Sequence, residues 1–153
     1  MELPAPLNAR LQPLLLALPL DRALGRLVVT APAGPPLTAL VEELCSPGLA
    51  LPLQAALWLY VDELDRSHRL AQQLEDQTGS YWHGIMHRRE GDFSNSHHWF
   101  TKVGAHPAMA LIPDYDPHAF IDAVAVAKGD PAALVELQRR EWANLFRWCA
   151  DQG

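Results

Sequence analysis

The chain has 153 residues, 49 % of them hydrophobic, and a formal net charge of −6 with its 7 histidines neutral. That length supports one domain with a substantial core and no need of disulfide staples. The acidic balance excludes a broad nucleic-acid footprint, which calls for a basic face.

The first 36 residues are rich in proline and leucine and read as an arm packed on the body of a single helical domain spanning 1–153. The apolar stretch LQPLLLALPL at 11–20 is interrupted by Pro13 and Pro19 and has no strongly cationic segment before it. It falls short of the roughly 20 apolar residues that span a bilayer, so neither a membrane span nor a signal peptide is expected. Leu11–Leu18 and Asp21–Val29 each suit a short helix. The run APAGPP at 31–36 is a break, and Pro35 or Pro36 suits the first turn of a helix over Leu37–Cys45. Ser46-Pro47-Gly48 then predicts a turn. From Leu53 to Glu75, the residues Leu53, Leu57, Val61, Leu64, His68, Ala71 and Leu74 recur at spacings of three or four, the stripe of one amphipathic helix. Asp62–Arg66 and Asp65–Arg69 are i,i+4 pairs on its polar side. His68 stands where the stripe calls for an aliphatic residue.

Ser80, after Gly79, suits the N-cap of a helix over Tyr81–Glu90, with Gly91 in the left-handed position beyond its end. Asp92 caps a helix over Phe93–Val103, closed by Gly104 with Pro107 beyond, so the two helices form an αα-hairpin. Asp116-Pro117 opens a helix that stops at Gly129. Asp130-Pro131 opens a last one to Ala150, with Leu134, Leu137, Trp142, Leu145, Phe146 and Cys149 as its apolar face. Only LVVT at 27–30 hints at a strand. The expected fold is all-α, an irregular bundle of about five main helices plus short N-terminal ones.

Residues 78–107 hold five of the seven histidines (His83, His87, His97, His98 and His106) together with Trp82, Trp99, Arg88, Arg89, Glu90, Asp92 and Asn95. A solvated surface does not need such a mixture, and a core avoids it because each buried polar group must find a partner. The segment therefore reads as the lining of a site. On one helix face His83, His87 and Glu90 occupy i, i+4 and i+7, a set that can hold a divalent metal such as zinc with a position open for water. The bland alternative is a polar seam bonded to backbone and carboxylates. His68 lies one helix upstream, and a turn at 77–80 sends the next helix back alongside, toward His83 or His87. Candidate general bases are His68, His87 and Glu90.

Arg88 and Arg89 point to different sides of their helix. One suits an internal ion pair with Glu90, Asp92 or Asp62, the other bidentate capture of a carboxylate or phosphate. Arg88, Arg89, Asp92, Asn95 and Trp82 are the candidate ligand contacts, although Asp92 reads first as an N-cap and Trp82 chiefly as core. His97 and His98 are adjacent on a helix and cannot both face one site; His106 is held extended by Pro107, at the site mouth or on the surface. There is no G-x-S-x-G, no phosphate-cradling glycine loop and no Rossmann fingerprint. Cys45 and Cys149 lie outside the cluster, lack C-x-x-C spacing, and read as free thiols of a reducing cytoplasm.

The segment Ser80-Tyr-Trp-His-Gly-Ile-Met-His-Arg-Arg-Glu-Gly-Asp-Phe-Ser-Asn95, with Trp99-Phe100, Val103-Gly104 and His106-Pro107, is similar to a signature Y-W-H-x-I-M-H-R-R-E-G-D, then Phe or Tyr, then x-N. That signature marks a group of small bacterial and fungal proteins with no established activity. Their upstream D-x-L-D-x-S-H stretch matches Asp62–His68, so the resemblance covers about residues 55–107. It implies that His68, His83, His87, Arg88, Arg89, Glu90, Asp92 and Asn95 belong together, and it brings no reaction with it. The group usually has a small residue and an aromatic where this chain has Ser96-His97-His98, which sets these two histidines outside the implied site.

Two functional classes follow. The first is a cytoplasmic protein holding a small-molecule or anionic ligand in a polar pocket between the 62–68 turn and the 81–95 hairpin. In it a divalent metal sits at His83, His87 and Glu90 or His68, and metal-assisted hydrolysis is the first reaction class to test. The second is a non-enzymatic helical interaction module whose polar cluster is a satisfied hydrogen-bond network that fixes helix packing. Neither involves nucleic acid or a membrane.

Overall fold

A computed structural model describes residues 1–153 as an all-helical bundle without strands. The elements are α1 (Ala5–Ala17), α2 (Pro35–Cys45), α3 (Leu51–Tyr60), α4 (Leu64–Ala71), α5 (Gln77–Glu90), α6 (Phe93–Val103), a 3-10 turn (Pro107–Leu111), α7 (Pro117–Val126) and α8 (Ala132–Asp151). None of these helices is long and apolar enough to cross a membrane.

Prolines and aspartates start most of the helices. Pro35, Pro52 and Pro117 sit in the first turns of α2, α3 and α7, where a missing N–H has no helical partner to lose. Asp76, Asp92 and Asp116 cap α5, α6 and α7 by accepting backbone N–H groups of Gly79, Asn95, and His118 with Ala119. Gly91, at φ +86°, closes α5 and with Asp92 forms the expected αα corner.

Several boundaries differ from the sequence expectations, each for a tertiary reason. The stripe at 53–75 belongs to two helices, not one, and Asp62 between them has φ +60°. No glycine or proline marks this break. Arg89 of α5 donates to the Leu59 carbonyl at 3.0 Å and pairs with Asp62 at 2.7 Å, giving the end of α3 partners that a further helical turn would displace. The expected Asp62–Arg66 pair is accordingly replaced by Asp62–Arg89 and by Arg66–Glu42 at 2.6 Å. Residues 21–29 form no helix, because α8 takes their carbonyls: Arg139 donates to Ala23, and Gln138 to Leu24 and Arg26. The LVVT segment is joined to the body by a Val29 N–H to Arg89 carbonyl bond at 2.9 Å and is not a strand. α1 begins at Ala5, six residues before the expected Leu11. α5 starts at Gln77 under an Asp76 cap; Gly79 is inside the helix, where a Cβ would lie 2.2 Å from the Leu74 carbonyl oxygen. Asp130 does not cap α8 and instead accepts the Leu27 N–H at 2.8 Å.

The core gathers around α5. Leu57, Leu59 and Tyr60 of α3 and Trp142, Leu145 and Phe146 of α8 are buried with Tyr81, Trp82, Ile85 and Met86. Trp142 stacks on Phe146 at 4.8 Å and donates its indole N–H to the Ala56 carbonyl. A smaller cluster of Leu27, Phe120, Val124 and Val135 joins α7 to α8.

A central helix is ordinarily apolar all round, yet α5 reads QTGSYWHGIMHRRE and is buried over almost its whole length. Its polar side chains therefore have to be accounted for one by one.

Candidate functional site

On the side of α5 facing α4 and α6 lies an open cleft of about 790 Å³. α5 forms the floor with Ser80, His83 and His87, which share one helical face. α4 and the turn after it supply His68, Ala71, Gln72 and Glu75. α6 supplies Asn95, His98, Trp99 and Lys102, at the i, i+3, i+4, i+7 spacing of a single face.

His68, His83 and His87 meet on the floor. Ring centroids are 4.8 Å apart for His68–His83, 5.3 Å for His68–His87 and 5.6 Å for His83–His87. One ligand nitrogen from each lies within 4.8 Å of those of the other two. Trp99 stacks flat on His83 at 3.8 Å and 7°, and the Lys102 ammonium sits 4.6 Å from the Trp99 ring centre. His83 and His87 are 2 % and 5 % exposed, and His83 Nε2 and His87 Nδ1 have no hydrogen-bond partner. The nearest acid, Glu90, stands 3.6 Å from His87 Nδ1, too far for a hydrogen bond.

Burial dominates the electrostatics. It pushes His83 from 6.5 down to about 4, with His68, His87 and Lys102 adding to the effect and no carboxylate opposing it. His87 is likewise held at about 4 by burial, then by His68, with Asp92 opposing and His98 adding. His68 is lowered by burial against the pull of Asp65. At neutral pH the three imidazoles are uncharged and carry free lone pairs, the form a metal ion binds.

Of the two third ligands expected beside His83 and His87, the structure brings in His68 and not Glu90. Seven helical residues rise about 10.5 Å, so Glu90 cannot share an ion with His83; it is exposed at the end of α5 and faces a separate hollow with Asp62, Glu63 and Asp65. Its carboxyl is raised by burial, then by Asp92 and Asp65. Glu90 instead forms a second group with His87 and Asp92. His68 takes its place beside His83 and His87.

The candidate ligand contacts divide in the same way. Arg88 and Arg89 are fully buried and neither reaches the cleft. Arg88 makes a bidentate pair with Glu141 of α8 at 2.8 and 3.0 Å, donates to Gln138, and lies over the Phe120 ring at 4.2 Å. Arg89 is committed to Asp62 and to the Leu59 and Arg26 carbonyls. Burial pulls against both guanidinium charges; Glu141 more than offsets it at Arg88, which is raised, whereas Asp62 offsets it only in part at Arg89, which is lowered. An arginine so enclosed cannot receive a ligand, and the anion-capture role expected for one of them is corrected. Trp82 is also wholly inside the core, its indole N–H unpartnered. Asp92 is exposed, outside the cleft, and caps α6; Asn95 lines the cleft.

The remaining histidines split. His98, which the resemblance set aside, is on the cleft wall, whereas His97 turns to α7, bonding His118 Nδ1 at 2.8 Å and Asp122 at 2.9 Å. His106 is neither at the site mouth nor on the surface: it is buried, bonds Thr78 at 3.0 Å and caps the 3-10 turn through Ala108 N–H. Sequence reasoning missed Lys102, Gln72 and Glu75 in the cleft and Glu141, Gln138 and Tyr115 around Arg88. For Lys102 a signal existed, since it continues the Asn95, His98, Trp99 face of α6. Compared with known protein families, curated proteins and solved structures, the chain finds no match.

Proposed function

We propose that the protein binds a divalent transition-metal ion, zinc foremost, at His68, His83 and His87, and that the ion activates water against a small molecule held in the cleft. The observation that carries this reading is the convergence of three uncharged imidazoles within 4.8 Å on the floor of an open cleft, with His83 Nε2 and His87 Nδ1 left without partners. Three nitrogen ligands with the remaining position open are the pattern of catalytic rather than structural zinc. An ion about 2.1 Å from each nitrogen requires nitrogen separations of about 3.4 Å, so the rings close by up to about 1.4 Å on loading. His68, on the short α4 and only half-buried, is the ring with room to move.

On this reading His68 and His87 act as ligands rather than general bases. Glu90, 3.6 Å from His87 Nδ1, is neither a ligand in this trio nor a hydrogen-bond partner of that ring. Held there, the ion would lower the pKa of a water toward about 7 and so supply hydrolytic chemistry at a carbonyl or phosphoryl centre. The test is hydrolysis of simple aryl esters and phosphoesters by zinc-loaded protein, by chelator-stripped protein and by a His83→Ala/His87→Ala variant. Turnover confined to the loaded parent is expected. Turnover that survives stripping, or none at all with bound zinc, contradicts the hydrolytic reading.

The arginine half of the polar cluster favours a second reading, a non-enzymatic interaction module. Arg88–Glu141 and Arg89–Asp62 pair opposite charges inside the fold, with Arg88 Nε and Arg89 Nε left unpartnered, and their evident task is packing. The cleft half has no such pairing, its nearest carboxylate standing 3.6 Å from His87, and this is why metal binding is preferred. We further propose a cytoplasmic setting, in which Cys45 and Cys149 remain free thiols, and membership in the signature group that residues 55–107 resemble.

A further inference from the structure

If the trio holds an ion, its charge must be answered. Three uncharged imidazoles leave both positive charges of a divalent ion in place. The Lys102 ammonium is one aromatic ring away, 4.6 Å over Trp99, which itself stacks on His83 at 3.8 Å. Lys102 makes no ion pair with any carboxylate of the protein; its one close partner is the indole face. The acids around the cleft are placed elsewhere. Asp76 is engaged as the cap of α5, Glu90 and Asp92 stand behind His87, and Glu75 is exposed on the rim. Asp65 acts on His68 and Asp92 on His87, but no carboxylate acts on His83, so the corner formed by His83, Trp99 and Lys102 is the electropositive side of the cleft once an ion is bound.

We infer that the cleft takes a small oxyanion, a phosphoryl group in preference to a carboxylate, that bridges the ion on the histidine trio and the Lys102 ammonium. This rests on the metal reading above and adds the substrate class. A phosphoryl group spans about 7 Å from metal to ammonium nitrogen, given about 2.1 Å to the metal and about 2.8 Å to the nitrogen. The flexible lysine stem covers the rest by swinging off the indole. Two negative charges and three free oxygens rank phosphate above acetate, which brings one charge and two oxygens. Ser80 and Asn95 line the same cleft as neutral hydrogen-bonding groups for the remainder of such a molecule.

The experiment loads the full chain with Co²⁺ and titrates inorganic phosphate, and separately acetate, while following the visible cobalt bands. Metal content is measured independently in each sample. The expected result is a saturable band shift with phosphate, weaker with acetate. Lys102→Gln should raise the phosphate Kd about tenfold or more at unchanged cobalt content, and Lys102→Arg should stay within about threefold. Cobalt bound at full stoichiometry but indifferent to phosphate, or a phosphate Kd unchanged in Lys102→Gln, overturns this inference and leaves the metal reading standing. No cobalt bound by the parent overturns both.

Discussion

Replacing Arg88 by methionine separates the structural half of the polar cluster from the cleft. Arg88 and Glu141 are both 0 % exposed and joined by two bonds of 2.8 and 3.0 Å. Methionine matches the length of the stem but abandons the Glu141 carboxylate inside the core, where the Tyr115 hydroxyl is its remaining donor. Breaking a buried pair from one side costs about 3–5 kcal/mol, because a desolvated charge is left uncompensated. Loss of the Gln138 bond and of the Phe120 ring contact adds to this. Against a total stability of about 5–15 kcal/mol the change is large, a fall in Tm of about 10–15 °C for a domain of this size. Urea unfolding followed by far-ultraviolet circular dichroism measures it. The double variant Arg88→Met/Glu141→Leu removes both charges and should recover most of the loss. Metal content should be unchanged in the single variant. An Arg88→Met protein within about 1 kcal/mol of the parent, or a double variant no better than the single, would refute the assignment of Arg88 to the core network.

Three further outcomes follow from the geometry. His83 and His87 titrate at about 4 in the folded chain against an ordinary value of 6.5. Between those values the unfolded chain binds more protons, so metal-free protein should lose stability as pH falls from 6.5 toward 4 and lose no more from these groups below that. Discounting half the shift for water in the cleft, the loss is on the order of 3 kcal/mol for the pair; a flat profile of unfolding midpoint against pH over that window contradicts it. Gly84→Ala places a methyl 2.6 Å from the Phe100 ring at the α5–α6 crossing and should cost about 1–3 kcal/mol by denaturant unfolding, whereas an unchanged midpoint would mean that the crossing is loosely packed. Trp99→Ala removes the ring that holds His83 flat and should weaken zinc about tenfold in a competition titration with a chromophoric chelator; unchanged affinity would show that the stacking does not position the ligand.

The local grammar of the chain was readable, and its long-range partners were not. The Gly91-Asp92 corner needs one left-handed residue and one cap, and both are written into adjacent positions, so α5 and α6 could be placed in advance. His68 stood out because it broke an apolar stripe, and the short turn before α5 sufficed to aim it at His83 and His87. The break at 61–63 left no local trace, since its stabilising partner, Arg89, arrives from another helix and overrides the continuing stripe. Gly79 misled for a related reason: it was read as punctuation, but its lack of a side chain serves a close approach to Leu74 inside the helix. Arg88 was the hardest to assign, because its partner Glu141 lies 53 positions away on α8. Glu90 was misplaced by counting helical angle without helical rise.

The most direct test of the account is elemental analysis of tag-free protein by plasma mass spectrometry, alongside the His83→Ala/His87→Ala variant. The account predicts one equivalent of a divalent metal, zinc foremost, in the parent and background in the variant. Metal at background in both, after purification without chelators and incubation with zinc, would contradict the claim that His68, His83 and His87 form a metal site.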